Sequence, residues 1–217
     1  MYTWHWEQIP QYFPLIAAAT RRTLQISVVS IVLGSLLGAL AGLMRVQPLR
    51  PVRFLAAAYV ELLRNIPLML VLYLIYFGLG AFFPVSPFWA AVVGLSVFEG
   101  AYVAEILRAG IESVDRGQME AARSLGMSWL QSMRHVIVPQ AVRRSLPPLT
   151  GQFVSLVKDS SLASLVSYEE LMLVGRQVNS RIFSPFEVFL TIGAIYFVIC
   201  LALSLLSRWQ EARLARP

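Results

Sequence analysis

The sequence predicts an all-α membrane protein with about five transmembrane helices. Hydrophobic residues make up 57% of its 217 residues and charged residues only 14%, and the mean hydropathy is +0.65. Soluble domains do not have this balance. Long charge-free stretches alternate with short arginine-rich segments, which is typical of helices that cross a bilayer. The net charge of +6 is therefore attributed to orientation in the membrane, and nucleic-acid binding is not expected.

Five segments are apolar enough, or nearly so, to cross a bilayer core that needs about 20 residues. The charge-free stretch from Asn65 to Phe98 is too long for one helix and contains glycine and proline, so it predicts two. The fourth candidate is more polar than the others. The predicted spans are 22–45, roughly 53–83 and 88–108, 145–167 and 188–207.

The arginines between these spans predict the orientation. About twelve fall on one side and four on the other, and the larger set is expected in the cytoplasm. The larger set is Arg45, Arg50, Arg53, Arg108, Arg116, Arg123, Arg134, Arg143, Arg144, Arg208, Arg213 and Arg216, and the smaller is Arg21, Arg22, Arg176 and Arg181. The chain is thus expected to be a multi-pass protein of a prokaryotic cytoplasmic (inner) membrane, with the N-terminus outside and the C-terminus inside.

Three segments follow from this arrangement. Residues 1–19 are predicted to be extracytoplasmic or interfacial, because Trp4, Trp6, Tyr12 and Phe13 precede the first span without a positive signal-peptide region. Residues 20–208 form the transmembrane domain, and residues 209–217 form a cytoplasmic tail. Within the first span Gly34, Gly38 and Gly42 recur every fourth residue, which predicts a close helix contact with this chain or another.

A polar hairpin is predicted at about 112–144. Asp115 with Gln118, and Ser128 with Gln131, have capping-box spacing, while Gly126 suits a left-handed turn and Pro139 is expected to limit the second helix. The second helix carries one apolar stripe and an opposite polar face. The stripe is Trp129, Leu130, Met133, Val136 and Ile137, and the polar face is Gln131, Arg134 and His135. Geometry alone favours a hairpin that covers its own helix bundle.

A sequence pattern favours another interpretation of this hairpin. Glu120-Ala121-Ala122, followed by Gly126 and then by Val136, Val138 and Pro139, closely resembles the coupling-loop signature of ABC importer permeases. The resemblance extends along most of the chain and is strongest to the subfamily for polar amino acids such as histidine, glutamate, aspartate and glutamine. Its further segments are Thr23-Leu24, 61–68, 101–111, 116–118, 138–141 and 158–162.

The resemblance implies the transmembrane domain of a type I ABC importer, whose hairpin sits in a groove of a cytoplasmic ATPase. It assigns coupling to Glu120, Ala121, Ala122, Gly126, Trp129 and Arg134. The implied partners are two ATP-binding subunits, a second permease subunit that is the same or homologous, an extracytoplasmic amino-acid-binding protein and the lipid bilayer.

The chain itself is not expected to be an enzyme. A phosphate-binding loop needs Gly-Lys-Ser/Thr, but the only lysine, Lys158, lies between Val157 and Asp159. ATP and Mg are therefore expected on the partner ATPases, with no cofactor in this chain. His5 and His135 are isolated, so no metal site is assigned.

Charges at membrane depth are costly and should face a cavity or find partners. Structural ion pairs are predicted for Glu61, Glu105, Arg108 and Asp159, and a path for the transported solute is predicted along Arg64, Asn65, Glu99 and Lys158. Pro67 should break the second helix beside this path. Arg64 would bind the carboxylate of an amino acid and Glu99 its ammonium, although ion pairing is an equally good role for Arg64.

Five helices are few to enclose a gated path, so two such subunits are expected to form the channel. Phe98-Glu99-Gly100 resembles acidic-amino-acid permeases and slightly favours glutamate or aspartate as cargo. Two alternatives are an ion-gradient-driven transporter or channel, which leaves the hairpin unexplained, and a membrane scaffold with no transport activity.

Overall fold

A computed structural model of the chain describes residues 3–47 and 49–214. Over these residues it consists of helices and short connections without a β-strand, which confirms the all-α prediction. The helices are α1 (Phe13–Arg45), α2 (Arg50–Arg64), α3 (Leu68–Tyr73), α4 (Pro87–Glu112), α5 (Arg116–Ser124), α6 (Trp129–Ser132), α7 (Val138–Asp159), α8 (Leu171–Ile182) and α9 (Pro185–Leu214). Short 3-10 turns cover Trp6–Gln8, Pro10–Tyr12 and Ser160–Val166, and π turns cover Leu74–Leu79 and Met133–Ile137.

Three helical stretches are long and apolar enough to cross a membrane within the described residues, namely Trp6–Arg45, Pro87–Glu112 and Pro185–Trp209. The bent pair Arg50–Arg64 and Leu68–Leu79 makes a fourth if it is one span. The fourth predicted span, 145–167, corresponds to most of α7 and the 3-10 turn after it, and the fifth, 188–207, lies within α9. With 22 residues, α7 is about 33 Å long at a rise of about 1.5 Å per residue, but it is more polar than the other spans.

The second predicted span bends by 106° between α2 and α3. Pro67 lies at the break in an extended conformation, with φ −63° and ψ 137°. Proline has no N–H to continue the helical ladder, and it disfavours helical geometry in the residue before it. The predicted break is thus confirmed.

The glycine strip of α1 packs against α4 of the same chain. A Cβ at Gly34 would lie 2.8 Å from the Cβ of Glu99, and one at Gly38 would lie 2.5 Å from the Cβ of Val103. Gly42 is only slightly less crowded, because its Cβ would lie 3.3 Å from the carbonyl oxygen of Ala104. The predicted close contact is confirmed, and its partner lies within this chain.

The two predicted segment boundaries coincide with no break in the helices. Helix α1 begins at Phe13 and runs past residue 19, and α9 runs past residue 208 to Leu214. The predicted tail 209–217 therefore begins as helix, and its last three residues lie outside the described part of the chain. The aromatic rings of Trp4 and Trp6 stack with centroids 6.0 Å apart just before α1.

The main core lies where α3 and α4 meet α1 and the end of α7. Its largest side chains are Ile26, Leu72, Leu95 and Leu156, all of them fully or almost fully buried. A second cluster joins the start of α1 to α8 and α9, around Leu171, Val174 and Val188. These two clusters leave the hairpin α5–α6 projecting from the opposite end of the bundle.

Candidate functional site

The projecting hairpin begins directly after α4 and consists of α5, a tight turn and α6. The turn is made by Gly126, whose φ is +83°. Only glycine adopts this left-handed conformation without steric cost, so the predicted role of Gly126 is confirmed. Its N–H donates to the carbonyl of Arg123 at 3.0 Å, which closes the end of α5.

The starts of both hairpin helices are capped, in two different ways. Ser128 and Gln131 form the predicted capping box. The Gln131 N–H donates to the Ser128 hydroxyl at 3.3 Å, and the Ser128 N–H donates to the Gln131 amide oxygen at 2.8 Å. Asp115 caps α5 by accepting from the N–H of Gly117 at 2.7 Å. The capping box predicted for Asp115 and Gln118 is wrong, because the Gln118 amide oxygen accepts from Gln140 at 3.3 Å instead.

The prediction that the second hairpin helix ends at Pro139 is wrong. The chain passes from α6 through the π turn Met133–Ile137 directly into α7, and Pro139 lies in the first turn of α7. A proline in the first turn of a helix loses no hydrogen bond. The wider π turn before it lets the chain continue as a helix from Trp129 to Asp159.

The predicted apolar stripe of this helix divides into an anchored part and an exposed part. Met133 and Ile137 are buried with Val114 and Ala141 in a small cluster that fixes the hairpin to the bundle. Arg144 adds a hydrogen bond to the carbonyl of Ser113. Val136 packs against the same cluster. The other two stripe residues are open to the surroundings, together with the residue before the turn: Trp129 is 38% exposed, Leu130 68% and Leu125 82%.

The residues assigned to coupling lie on this hairpin with different exposure. Glu120, Ala121, Gly126, Trp129 and Arg134 are exposed, whereas Ala122 is buried beneath α5. The hairpin thus presents a carboxylate, a small-residue surface and exposed apolar side chains on a rigid, capped frame.

Glu105 is the centre of an ion-pair group that contains three other charged residues singled out in the membrane, Glu61, Arg64 and Arg108. Its carboxylate binds Arg108 at 2.6 Å and lies 3.5 Å from the Arg64 guanidinium. Arg45 donates to it from α1 and also lies 3.8 Å from Glu61. Arg108 pairs further with Glu112. Arg45 was missed as a member because it lies 60 residues from Glu105 in the chain.

Asp159 does not join this group, although an ion pair was predicted for it. No ion pair of Asp159 occurs with any side chain that the structure describes. It lies at the last residue of α7 beside Lys158, and adjacent residues on a helix point in different directions.

The four residues predicted along the solute path do not converge on one point. Arg64 is held by Glu105 and lies 5.6 Å above the ring of Tyr102, and the Asn65 amide donates to the carbonyl of Glu61 at 2.7 Å. Lys158 is exposed at a cavity of about 420 Å³. The cavity is also lined by Ser161, Met172, Phe189, Ile192, Gly193 and Tyr196.

Glu99 is fully buried between α1 and α7. Its Oε2 accepts from the Gln152 amide at 3.0 Å, while its Oε1 has no hydrogen-bond partner in the described part of the chain. A buried carboxylate with a free oxygen is costly unless a partner satisfies it. Gln152 was missed because it lies on α7, 53 residues from Glu99 in the chain, and no local pattern in the sequence links the two.

A second buried carboxylate, Glu170, was also missed by sequence reasoning. It caps α8 by accepting from the N–H groups of Met172 and Leu173, both at 2.7 Å, and from the Tyr196 hydroxyl at 2.9 Å. Burial raises the pKa of its carboxyl above the ordinary value, although these hydrogen bonds oppose the rise. The usual cap residues are Ser, Thr, Asp and Asn, so a glutamate at this position gives no clear capping signal in the sequence.

Comparison with known proteins gives concordant results for nearly the whole chain. The family model for the binding-protein-dependent transport system inner membrane component matches residues 9–216. The chain is 40% identical over 195 residues to the probable glutamine ABC transporter permease protein GlnM of Bacillus subtilis (strain 168), covering 89% of this chain and 90% of that protein. It is 37% identical over 224 residues to the glutamate/aspartate import permease protein GltK of Escherichia coli O6:H1, covering 99% and 100%.

A solved structure agrees with these relatives. A chain from the crystal structure of an amino acid ABC transporter with histidines matches with a TM-score of 0.93 and 38% sequence identity. The match covers 98% of this chain and 100% of that chain. Sequence and fold thus agree along the full length of the match.

Proposed function

Since this chain belongs to the family of binding-protein-dependent transport system inner membrane components, we propose that it is the permease subunit of an importer for a polar amino acid. Two such subunits, identical or homologous, form the path, and two separate ATPase subunits supply the energy. An extracytoplasmic binding protein delivers the amino acid. The chain lies in the cytoplasmic membrane with its N-terminus outside and its hairpin and C-terminus inside.

The observation that carries this proposal is the hairpin α5–α6. It is capped at both helix starts, fixed to the bundle by a small buried cluster, and yet exposes Leu125 and Leu130 to 82% and 68%. A hairpin that only covered its own bundle would bury these side chains. Exposed apolar residues on a rigid frame are typical of a docking surface.

Docking of the ATPase on this surface explains how energy reaches the membrane helices. Closure of the two ATPases moves the two hairpins together, and α7 follows because it is continuous with α6. The helices then alternate between inward-open and outward-open states. Glu120 and Arg134 supply polar contacts to the ATPase, and Ala121 permits close approach.

For the cargo we favour glutamate or aspartate. One relative is named for glutamate and aspartate and another for glutamine. All three of these amino acids have polar side chains. Lys158 offers a cation at the rim of a 420 Å³ cavity, which suits a carboxylate, and Glu99 has a free oxygen for an ammonium. Arg64 is engaged by Glu105 and is no longer assigned to the substrate.

Co-purification with the ATPase tests the coupling. Glu120→Lys and Gly126→Asp should abolish binding of the ATPase and ATP-driven uptake in proteoliposomes, because they reverse a charge or strain the turn on the docking surface. Glu7→Lys is the matched control, since it makes the same charge change on an exposed residue far from the hairpin.

Uptake measurements test the energy source and the cargo. Uptake should require ATP and persist with a protonophore, and unlabelled glutamate and aspartate should compete better than glutamine or arginine. The proposal is wrong if both hairpin variants retain ATPase binding, or if uptake is abolished by the protonophore and insensitive to ATP depletion. Stronger competition by glutamine or arginine would overturn only the cargo assignment.

A further inference from the structure

A basic crevice lies at the hairpin end of the bundle, and none of its lining residues belongs to α5 or α6. It measures about 510 Å³ and opens between the end of α1, the start of α2 and the end of α4. Its lining is Arg45, Arg50, Arg53, Phe54, Ala57, Arg108 and Glu112. Four guanidinium groups therefore face one crevice that contains a single carboxylate.

The charges around the crevice are only partly compensated. Arg45, Arg64 and Arg108 are matched by Glu61, Glu105 and Glu112 in the ion-pair group described above. Arg50 and Arg53, in contrast, form no ion pair with any described side chain, and both are exposed. The crevice thus carries two positive charges in excess.

The arrangement of α2 explains why these two charges point the same way. Arg50, Arg53, Phe54 and Ala57 are spaced at i, i+3, i+4 and i+7, which places them on one face of the helix. Arg50 and Arg53 lie in the first turn of α2, at the end of the helix that carries partial positive charge.

We propose that this crevice binds the phosphate headgroup of an anionic phospholipid from the leaflet on the hairpin side. A phosphodiester carries one negative charge on two non-ester oxygens, which arginine binds in bidentate geometry, so the two unpaired arginines can hold one headgroup. Phe54 lines the same crevice and is 71% exposed, and Leu49, just before α2, is 61% exposed. An acyl chain can cover these apolar side chains, whereas a free phosphate cannot.

The position in the bilayer supports a lipid rather than a soluble anion. Two apolar spans end at Arg45 and Glu112, and both residues line the crevice. The ends of membrane spans lie at the depth of the lipid headgroups. Basic pockets between helices on the cytoplasmic side bind anionic headgroups in this way. The inference uses the proposed orientation but needs neither the ATPase nor a particular cargo.

Lipid titration of the full chain in neutral detergent tests the proposal. Dioctanoyl phosphatidylglycerol should bind with a measurable Kd and dioctanoyl phosphatidylcholine much more weakly. The double variant Arg50→Gln/Arg53→Gln should weaken binding of the anionic lipid about thirty-fold, from the typical contribution of two surface arginines. Both residues are exposed, so the variant is expected to fold.

The double variant Arg143→Gln/Arg208→Gln is the matched control. It removes two exposed arginines, without ion pairs among the described side chains, from the same end of the protein. It should bind the anionic lipid as the unmodified chain does. Equal loss in both double variants, or no loss in Arg50→Gln/Arg53→Gln, would overturn the site. Competition by inorganic phosphate at the same concentration as the lipid would show a soluble-anion site and overturn the assignment to lipid.

Discussion

Replacing Gly38 with alanine should destabilise the contact between α1 and α4. The new Cβ would lie 2.5 Å from the Cβ of Val103 and 2.8 Å from the carbonyl oxygen of Gly100. The first distance is 0.9 Å short of the 3.4 Å at which ordinary contact begins. Neither atom can rotate away, because a Cβ and a carbonyl oxygen are fixed to the backbone, so the helices must separate.

The expected cost follows from two opposing effects. Overpacking of a closely packed contact costs about 1 to 3 kcal/mol, while alanine in place of glycine favours a helix by about 1 kcal/mol. Gly151→Ala is the matched control, since Gly151 lies inside α7 and nothing lies within 4 Å of its added Cβ. The two variants share the gain in helix propensity and differ in the clash.

Unfolding in mixed micelles with increasing sodium dodecyl sulfate measures the difference. Gly38→Ala should have a free energy of unfolding about 1 to 3 kcal/mol below that of Gly151→Ala. If Gly38→Ala is as stable as Gly151→Ala or more so, α1 and α4 do not approach each other as closely as described here.

The same assay tests two carboxylates. Glu105→Gln should lower the free energy of unfolding by about 2 to 3 kcal/mol, because it leaves several arginines without their shared partner. Glu61→Gln should lower it by less than about 1 kcal/mol, since that side chain is 61% exposed. Equal effects of the two substitutions would contradict the central role of Glu105. Burial raises the pKa of the Glu170 carboxyl. Between the ordinary pKa of glutamate and this raised pKa, the folded state keeps a proton that the unfolded state loses. The free energy of unfolding should therefore fall as pH rises through this range. Glu170→Gln should remove this slope, and a variant with the same pH dependence as the unmodified chain would contradict it.

Local features of this chain could be predicted because neighbouring residues determine them. The box of Ser128 and Gln131, the left-handed Gly126 and the break at Pro67 each depend on a few consecutive residues, and all three are present in the structure. The contact of the glycine strip was also predicted, but its partner helix was not.

Features that depend on distant parts of the chain were not predictable. Arg45 reaches Glu105 and Gln152 reaches Glu99 across separations of 60 and 53 residues, which no local pattern encodes. Pro139 was misinterpreted because a proline ends a helix only where it removes a hydrogen bond, and the preceding π turn avoids that loss.

The continuous helical run from Trp129 to Asp159 connects the exposed tip of the hairpin with the far end of α7. The run is about 45 Å long at a rise of about 1.5 Å per residue, and the π turn, Pro147 and Pro148 are places where it can bend. The backbone therefore links the exposed hairpin directly to Gln152, the side chain that donates to the buried carboxylate of Glu99.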